Sequence, residues 1–316
     1  MNVLSVILVN YFSEKHIAEL VDQLSGPGIE FVIADNSQTL DHSKNVRKNI
    51  IVIDMKQNTG FAAAVNAASK LASGEYLLIL NPDVRLNYET VKNLLKFARE
   101  NPNYGFVAPK LREMKQSGSF LNGGKFPYIT SMFLHFSGIS RFSSRFSIFS
   151  GFLARDSKAE ELVLEVDWVS GAAFIISKSL FLELEGFSER WFMYSEDIEI
   201  CFRARKLGKK AVIVRNLRGV HYGQESDTRN QLLSNTDVRW LLNLADFYYK
   251  DIAENAVIKL FVWWVILWFG FAARVLVFSL LSLFDINKNS LFADKRKKMK
   301  SYLSVSASQL RVLFGR

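Results

Sequence analysis

The stretch "QNTGFAAAVNAASKLASGEYLLILNPDVRL" (57–86) combines a helix, a strand and a sharp break. Its small and apolar residues predict a helix over about 60–72, and the apolar run 76–80 predicts a strand. Pro82 cannot donate a hydrogen bond within a sheet, so the chain must turn there. The turn presents Asp83 at the sheet edge, either as an oxygen ligand for a hard cation that bridges a diphosphate or as a turn cap.

The alternation of strand and helix continues towards the amino terminus. β-rich apolar runs predict strands at 3–9, 30–37 and 50–55, and the spacing of apolar residues over 17–24 predicts a helix. This alternation favours an α/β fold with a mainly parallel sheet and helices on both faces. Ligands of such sheets bind beyond the carboxyl ends of the strands. Asp35 lies there, either to bind a base or ribose or to form an Asx turn.

Several classes of protein are excluded by motifs that the sequence lacks. No Gly-x-Gly-x-x-Gly follows the first strand, and there is neither a phosphate-loop lysine motif nor a metal-spaced Cys/His cluster, which argues against dinucleotide redox chemistry. The single cysteine, Cys201, excludes a disulfide within the chain and fits a reducing compartment. No basic leader precedes the first apolar run, so we expect no signal peptide.

Two adjacent acids open a predicted helix in "RWFMYSEDIEICFRARKLG" (190–208). Helical spacing predicts an inward stripe and leaves Glu196 and Glu199 among the solvated charges. The predicted inward residues are Ile200, Cys201, Ala204 and Leu207. Asp197 lies on this stripe, where the free N–H groups of a helix start favour a negative charge. It is therefore a candidate base, although capping of the first turn is an equally ordinary use of such acids.

Two further segments carry candidate ligand contacts. "VDWVSGAAFIISKSLF" (166–181) predicts a strand, with Gly171 where a ligand can approach the backbone, and then a helix. A strand predicted at 211–214 is followed by His221 in a glycine-flanked loop. Taken alone, this histidine favours a structural role over ligand binding.

The carboxyl-terminal part combines apolar and basic residues. The Trp-rich segment 259–284 precedes "DKRKKMK" (294–300) in a chain of formal charge +9, which points to a lipid surface. Arg274 makes a single bilayer span costly, so we expect two shorter helices, broken near 270–274, in the cytoplasmic leaflet. A single span and a buried or dimer-forming helix remain alternatives.

A Phe-rich segment between 117 and 155 is less regular. Its phenylalanines alternate with Arg141, Arg145 and Arg155, which is consistent either with a rim that meets membrane or a lipid-linked phosphate or with an ordinary loop.

The ordered set "ADNS", "NTGFAAAVNAA", "LILNPDV", "VDWVSGAAFIISKSLF", "GFSERWFMYSEDIEICFRARKLG" and "VHY" resembles family 2 glycosyltransferases over roughly residues 1–225. The nearest resemblance is to bacterial rhamnosyltransferases that build O-antigen, the polysaccharide of lipopolysaccharide, and related cell-wall glycans. "GKFP" (124–127) also resembles enzymes that add L-rhamnose to N-acetylglucosamine-diphospho-undecaprenol. The resemblance implies a GT-A fold, a nucleotide-sugar donor, a divalent metal (Mg²⁺ or Mn²⁺) and inversion at the anomeric carbon.

The resemblance also assigns roles to residues. It makes Asp197 the catalytic base and Asp83 a metal ligand, with His221 as a further ligand of the metal or diphosphate. The nucleotide-sugar site would comprise Asp35, Asn58, Gly60, Asn81, Asp83 and Gly171. The acceptor site would comprise Trp191, Phe192 and Glu196, with Met193 and Tyr194 beside them. Asn81 stands where many members have a first aspartate.

Together these features predict a GT-A domain over 1–225 and a helical membrane-attachment region over 226–316. The predicted activity is inverting transfer of L-rhamnose from dTDP-L-rhamnose to a lipid-diphosphate-linked sugar. The predicted location is the cytoplasmic face of the bacterial inner membrane, on anionic lipids, with no nucleic-acid partner. The alternatives are another donor, such as UDP-galactofuranose, UDP-glucose or UDP-N-acetylglucosamine, or a non-catalytic membrane scaffold. The sequence leaves the oligomeric state open.

Overall fold

The computed structural model describes residues 3–40, 49–113, 121–143, 146–156, 161–223, 238–283 and 291–314. The chain forms two compact units, Met1–Gly124 with Asp156–Asn230 and Lys125–Arg155 with Gln231–Arg316. The Phe-rich segment after residue 125 therefore groups with the carboxyl-terminal helices. Arg145 and the predicted domain boundary at 225–226 lie outside the described residues.

The first unit is built on a mixed sheet, in the spatial order β3-β2-β1-β4-β10-β6-β11-β5, with β8 pairing β11. A separate two-stranded pair joins β7 to β9. The strands are β1 (Leu4–Asn10), β2 (Ile29–Asp35), β3 (Ile50–Asp54), β4 (Tyr76–Leu80), β5 (Val84–Arg85), β6 (Tyr104–Glu113), β7 (Gly123–Gly124), β8 (Val163–Val166), β9 (Trp168–Val169), β10 (Ala173–Ser177) and β11 (Lys210–His221). The helices are α1 (Glu14–Leu24), α2 (Phe61–Leu71), α3 (Tyr88–Glu100), α5 (Lys178–Glu183) and α6 (Glu196–Lys206).

Strands β1 to β4 are parallel, and β1, β2 and β4 are buried on both faces, as their continuous apolar runs predict, whereas β3 at the sheet edge is half-buried. Val6 and Leu8 point into the core that α1 and α3 cover. Ile7 points to the opposite face and is also fully buried, and α2 packs on β1 and β2. The predicted α/β class and the predicted helix at 60–72 and strand at 76–80 are confirmed.

The topology brings several chain segments to one edge of this sheet. Because β1, β2 and β4 are parallel, their carboxyl ends lie together. Strand β10 runs antiparallel to β4, with Ala173 opposite Leu80, so its amino end and the turn before it lie at the same edge. Strand β11 pairs β5 with His221 opposite Val84. His221 is therefore the last residue of a strand, and its predicted position in a loop is wrong because β11 continues through a register shift after Val214.

The second unit consists of α4 (Ile129–Phe136), α7 (Arg239–Phe247), α8 (Val257–Leu283) and α9 (Leu291–Phe314). The predicted break of α8 near 270–274 is wrong, since the helix is continuous. Gly270 allows the ring of Phe136 to approach the helix backbone. Arg274 donates to the Gly270 carbonyl (3.1 Å) and to that of His135 (3.2 Å), so its charge is accommodated without a break.

Within the described residues, one helix is long and apolar enough to cross a membrane by length and composition, at Val257–Ser282 with a mean hydropathy of 2.1.

Candidate active site

The first feature of the site is a buried carboxylate at the end of β2. Asp35 Oδ1 accepts hydrogen bonds from Asn10 Nδ2 (2.9 Å) and the Ser37 N–H (3.0 Å), and Oδ2 accepts one from the Leu40 N–H (2.9 Å). Burial opposes its charge, but these hydrogen bonds outweigh burial and lower the pKa of Asp35. The Asx turn is confirmed, and the nucleoside role stays a prediction. Asn10 was not among the predicted site residues, although a polar residue that ends a buried strand is a signal in the sequence.

The turn after Asp35 is tied to the start of α2. Asn36 is buried; its Nδ2 donates to the Gly60 carbonyl (3.1 Å) and its Oδ1 accepts from the Thr59 N–H (3.3 Å). Asn58 is exposed, and its Oδ1 accepts the Gly60 N–H (3.1 Å). Asn58 therefore shapes the helix start and is open to a ligand. Asn36 was not predicted as a site residue, because the carboxylate of the adjacent Asp35 was the more evident ligand-binding group.

Gly60 makes the closest approach of this turn to another segment. Its φ is 86°, and a Cβ atom placed there would lie 2.2 Å from the Phe192 carbonyl oxygen. The Phe61 N–H donates to the same oxygen (3.2 Å). Gly60 thus allows the predicted donor side of the site to contact the predicted acceptor segment. The sequence around Gly60 did not predict this contact.

We expect Gly60→Ala to lower the free energy of unfolding by more than about 1 kcal/mol, because a backbone with φ 86° and ψ 179° is adopted almost only by glycine and because the added Cβ also meets the Phe192 carbonyl. Gly208→Ala is the matched control, since Gly208 has a φ of 76° but nothing within 4 Å of the added Cβ. Urea unfolding of both variants measures the difference. Equal losses would show that the contact with Phe192 contributes nothing beyond backbone strain.

The predicted metal ligands come together at the edge of the sheet. Asp83 Oδ1 lies 3.3 Å from His221 Nε2, and the two side chains are 20% and 18% exposed. The Asn81 N–H donates to the Ala172 carbonyl (2.8 Å), and the Asn81 carbonyl accepts the Val84 N–H (3.1 Å), so Asn81 fixes the turn through its backbone.

This pair fits a divalent cation that is shared with a ligand. Among the described residues no group of three or more His, Cys, Asp or Glu side chains is arranged to hold a metal. Mg²⁺ commonly uses one or two protein ligands and completes its shell with phosphates and water. One carboxylate oxygen and one imidazole nitrogen therefore suit a cation that arrives with a diphosphate.

The candidate base, Asp197, lies in the first turn of α6 and is half-buried. Its Oδ2 accepts the Gly171 N–H (2.9 Å), and its Oδ1 accepts the Ile198 N–H (2.9 Å). The turn that bears Gly171 leads into β10, which places this carboxylate at the same edge of the sheet. Gly171 thus contributes a backbone donor as well as space, since a Cβ there would lie 3.2 Å from the Phe61 ring.

The predicted exposure of Glu196 and Glu199 is wrong, because they are only 5% and 6% exposed. Arg203 binds both oxygens of Glu199 (2.6 and 2.7 Å) and donates to the Leu184 and Gly186 carbonyls, so a second segment covers this side of α6. Helical spacing identified only one buried side. Leu207, predicted to be inward, is half exposed, whereas Ile200, Cys201 and Ala204 are buried as predicted.

Burial raises the pKa of both adjacent acids. It raises the pKa of Glu196 to about 8, and the charge of Asp197 adds to this rise. No hydrogen-bond partner of Glu196 Oε2 is found among the described residues. Burial also raises the pKa of Asp197, but the N–H groups of Gly171 and Ile198 favour its charged form. Because the charge of Asp197 adds to the rise at Glu196, Glu196 is the acid of the pair that keeps its proton to the higher pH.

We expect Glu196→Gln to flatten the dependence of stability on pH. The pKa of Glu196 lies near 8 in the folded protein against 4.5 ordinarily, so its contribution is complete below pH 4.5 and is lost as the pH rises towards 8. The variant should thus gain stability relative to the native protein from pH 5 to pH 8, by at most a few kcal/mol, since one pKa unit corresponds to about 1.4 kcal/mol. Urea unfolding at several pH values tests this. Parallel pH profiles would contradict it.

The segment before α6 carries the predicted acceptor residues. Trp191 is buried, and the guanidinium of Arg190 stacks 4.0 Å from its ring centroid. Phe192 is 44% exposed, so it offers more accessible ring surface than Trp191. Tyr194 and Ser195 both have left-handed φ values, of 75° and 80°, directly before the two acids. Such strain in non-glycine residues concentrates at functional sites.

Asn66 of α2 holds this segment in place. Its Nδ2 donates to the Phe187 carbonyl (2.9 Å) and to Glu189 Oε1 (2.9 Å), and its Oδ1 accepts the Phe187 N–H (2.8 Å). Asn66 was not among the predicted site residues. In the sequence it is recognisable only as the one amide side chain within the alanine-rich stripe of α2.

Comparison with known proteins gives matches over much of the chain. Residues 5–155 match the family described as Glycosyl transferase family 2. The chain is 31% identical over 212 residues to the low-salt glycan biosynthesis hexosyltransferase Agl10 of Haloferax volcanii, covering 64% of this chain and 62% of that protein. It is 24% identical to the rhamnosyltransferase WbbL of Escherichia coli, covering 79% and 94%. It is also 24% identical to the N-acetylglucosaminyl-diphospho-decaprenol L-rhamnosyltransferase of Mycobacterium tuberculosis, covering 72% and 79%.

Among solved structures, the mannosyltransferase PcManGT from Pyrobaculum calidifontis, in complex with GDP-Man and Mn²⁺, superposes with a TM-score of 0.54 at 16% identity, over 97% of this chain and 86% of that chain. The similarity confirms the predicted fold class.

Proposed function

We propose that this chain, which carries a family 2 glycosyltransferase domain in a GT-A fold, transfers L-rhamnose from dTDP-L-rhamnose to a lipid-diphosphate-linked sugar with inversion. The observation that carries the proposal is that Asp197, bound to the Gly171 N–H in the turn before β10, and the Asp83–His221 pair lie at the same edge of the sheet. A base and a cation site are the two elements that displacement of a nucleoside diphosphate from a sugar requires.

Asp197 performs the proton transfer. Its carboxylate accepts the proton of the acceptor hydroxyl as that oxygen forms a bond to the anomeric carbon. The bond from this carbon to the diphosphate oxygen breaks on the opposite face, and the nucleoside diphosphate leaves with the bonding electrons. A single displacement inverts the centre, so a β-linked donor gives an α-L-rhamnoside. The Gly171 and Ile198 N–H groups orient the carboxylate for this step.

Asp83 and His221 hold the divalent cation. When bound, Mg²⁺ or Mn²⁺ stabilises the negative charge that grows on the leaving diphosphate. The Mn²⁺ in the Pyrobaculum calidifontis complex supports a divalent cation in the proposed reaction. The Asx turn of Asp35, with Asn58 and Gly60 beside it, forms the nucleoside side of the site, while Phe192 and the segment around it face the acceptor.

The proposed substrates rest on the relatives. Two of them are named rhamnosyltransferases, and the mycobacterial one is named for a diphospho-decaprenol-linked acceptor. The Haloferax protein is named only as a hexosyltransferase, so another hexose donor is the second candidate. A lipid-linked acceptor and the apolar helix α8 together support a peripheral location at the cytoplasmic face of a bacterial inner membrane, in O-antigen or related polysaccharide synthesis.

The test is transfer of labelled rhamnose from dTDP-L-rhamnose to a synthetic N-acetylglucosamine-diphospho-lipid, with Mg²⁺, Mn²⁺ or EDTA. We expect a metal-dependent product with an α linkage. UDP-glucose, UDP-galactofuranose and UDP-N-acetylglucosamine serve as competing donors on the same acceptor. A product from one of these alone would replace rhamnose and retain the transfer reaction. A lack of turnover with every donor, together with nucleotide-sugar binding, would favour a scaffold.

A further inference from the structure

Helix α8 has two distinct apolar faces. One is buried within the second unit and comprises Trp263, Trp264, Leu267 and Phe271. The other is exposed and includes Ile258, Val262, Phe269, Leu276 and Leu280. At 3.6 residues per turn these five positions fall within a stripe about 40° wide, and Val257, Val277 and Leu281 are exposed outside it. The stripe runs nearly the full length of the helix, although water disfavours such a surface.

The Phe-rich segment of the same unit adds a second exposed apolar group. Phe133, Phe142, Phe146 and Ile148 are each half or more exposed. The end of α4 contacts the middle of α8, where the rings of Phe136 and Phe271 lie 5.0 Å apart. Phe133 lies less than one turn before this contact, and Phe269 two residues before it on α8. The α4 contact therefore covers the buried face of α8 at Phe271 and leaves Phe269, about 200° around the helix, exposed.

Arg274, the only charge in the middle of α8, is directed away from the exposed stripe. It donates to the carbonyls of Gly270, His135 and Phe136, and its guanidinium lies 4.6 Å from the centroid of the Phe136 ring. The residue that makes a bilayer span costly is thus used inside the unit to join α8 to the carboxyl end of α4. The outer stripe of α8 keeps its apolar character.

The position and charge of α9 indicate whether α8 lies in the plane of a membrane or crosses it. Phe278 stacks 6.5 Å from Phe292, and Phe271 lies 5.3 Å from Tyr302, so α9 runs antiparallel along α8. Between these contacts α9 carries Lys295, Arg296, Lys297, Lys298 and Lys300. In total α9 has six basic side chains and one acidic one. Charges beside the carboxyl-terminal half of α8 suit the head-group layer and not the hydrocarbon core.

We propose that the exposed stripe of α8 and the exposed apolar residues of 129–149, here called the lipid face, dock in the plane of an anionic bilayer, with the basic residues of α9 on the head groups. The proposal deepens the proposed peripheral location and does not depend on the transfer reaction. It gives the Phe-rich segment, which the proposed chemistry leaves unused, a defined partner. It also predicts that α8 does not cross the bilayer.

The experiment is flotation of the full-length protein with vesicles of phosphatidylcholine alone or of phosphatidylcholine and phosphatidylglycerol at about 3:1. We expect flotation with the anionic vesicles, weaker flotation with neutral ones or at high salt, and release by alkaline carbonate. The paired substitutions Phe269→Ser/Leu276→Ser on α8 and Phe133→Ser/Phe142→Ser on the other segment should each lower the bound fraction about tenfold or more, because each removes two large apolar side chains from lipid.

Leu71→Ser/Leu182→Ser is the matched control, since these residues of the first unit are equally exposed. It should float like the native protein, and equal thermal midpoints for all variants exclude unfolding. The proposal is overturned if the Phe133/Phe142 variant floats normally, if carbonate fails to release the protein, or if the protein ignores vesicles and forms a dimer through this face. Transfer to a short-chain, water-soluble acceptor tests the proposed reaction separately.

Discussion

Replacement of Asp197 by asparagine is expected to lower the rate of sugar transfer by about 10²- to 10⁴-fold, the range over which a positioned general base contributes. The amide has nearly the same shape, and its oxygen can still accept the N–H of Gly171 or Ile198, but it cannot take a proton at neutral pH. The loss should therefore appear in kcat at saturating acceptor. Single-turnover assays on the synthetic acceptor measure it.

Two controls separate loss of the base from loss of the site. The affinity for dTDP-L-rhamnose, measured by calorimetry, should change little because Asp197 acts on the acceptor hydroxyl. The second control is Glu196→Gln, which changes the adjacent acid. The raised pKa of Glu196 keeps it protonated at neutral pH, so the Glu196→Gln variant should lose much less transfer rate than Asp197→Asn. If Glu196→Gln abolished transfer and Asp197→Asn did not, the roles of the two acids would have to be exchanged.

Local sequence patterns predicted the elements of the sheet that hold the site. The break at Pro82 placed Asp83 at an edge, and the inward position of Asp197 followed from the spacing of Ile200 and Cys201. These features depend on neighbours within a turn or two. The juxtaposition of Asp83 with His221 depends on the pairing of β5 with β11, which are more than a hundred residues apart in the chain, and spacing alone contains no such information.

The errors have the same cause. Glu196 and Glu199 looked solvated because the helix was considered without the segment at 184–187 that covers it. Asn36 and Asn66 serve contacts between distant segments, and a polar residue in an apolar stripe does not by itself reveal its partner. The continuity of α8 depends on carbonyls of α4, which a hydropathy pattern over α8 cannot include.

The second large effect is expected at the proposed metal site. Asp83→Asn should lower metal-dependent transfer by about 10²-fold or more, the scale of losing one electrostatic contact to a developing charge. His221→Asn should cost less, because a neutral ligand contributes less to holding a divalent cation than a carboxylate does. Mg²⁺ and Mn²⁺ titrations of the rate, with and without EDTA, measure both variants. Glu89→Gln, an exposed acid on α3, is the control for the loss of one negative charge.

The combination of the two variants provides the sharper test. Asp83 Oδ1 and His221 Nε2 are 3.3 Å apart, so both would contact the same cation. Once Asp83→Asn has removed the cation, His221→Asn should cost little more, and the double variant should lose far less than the product of the two single losses. Independent, multiplying losses would place the two residues in separate roles. If native turnover were unchanged in EDTA, the assignment of the two residues as metal ligands would be wrong.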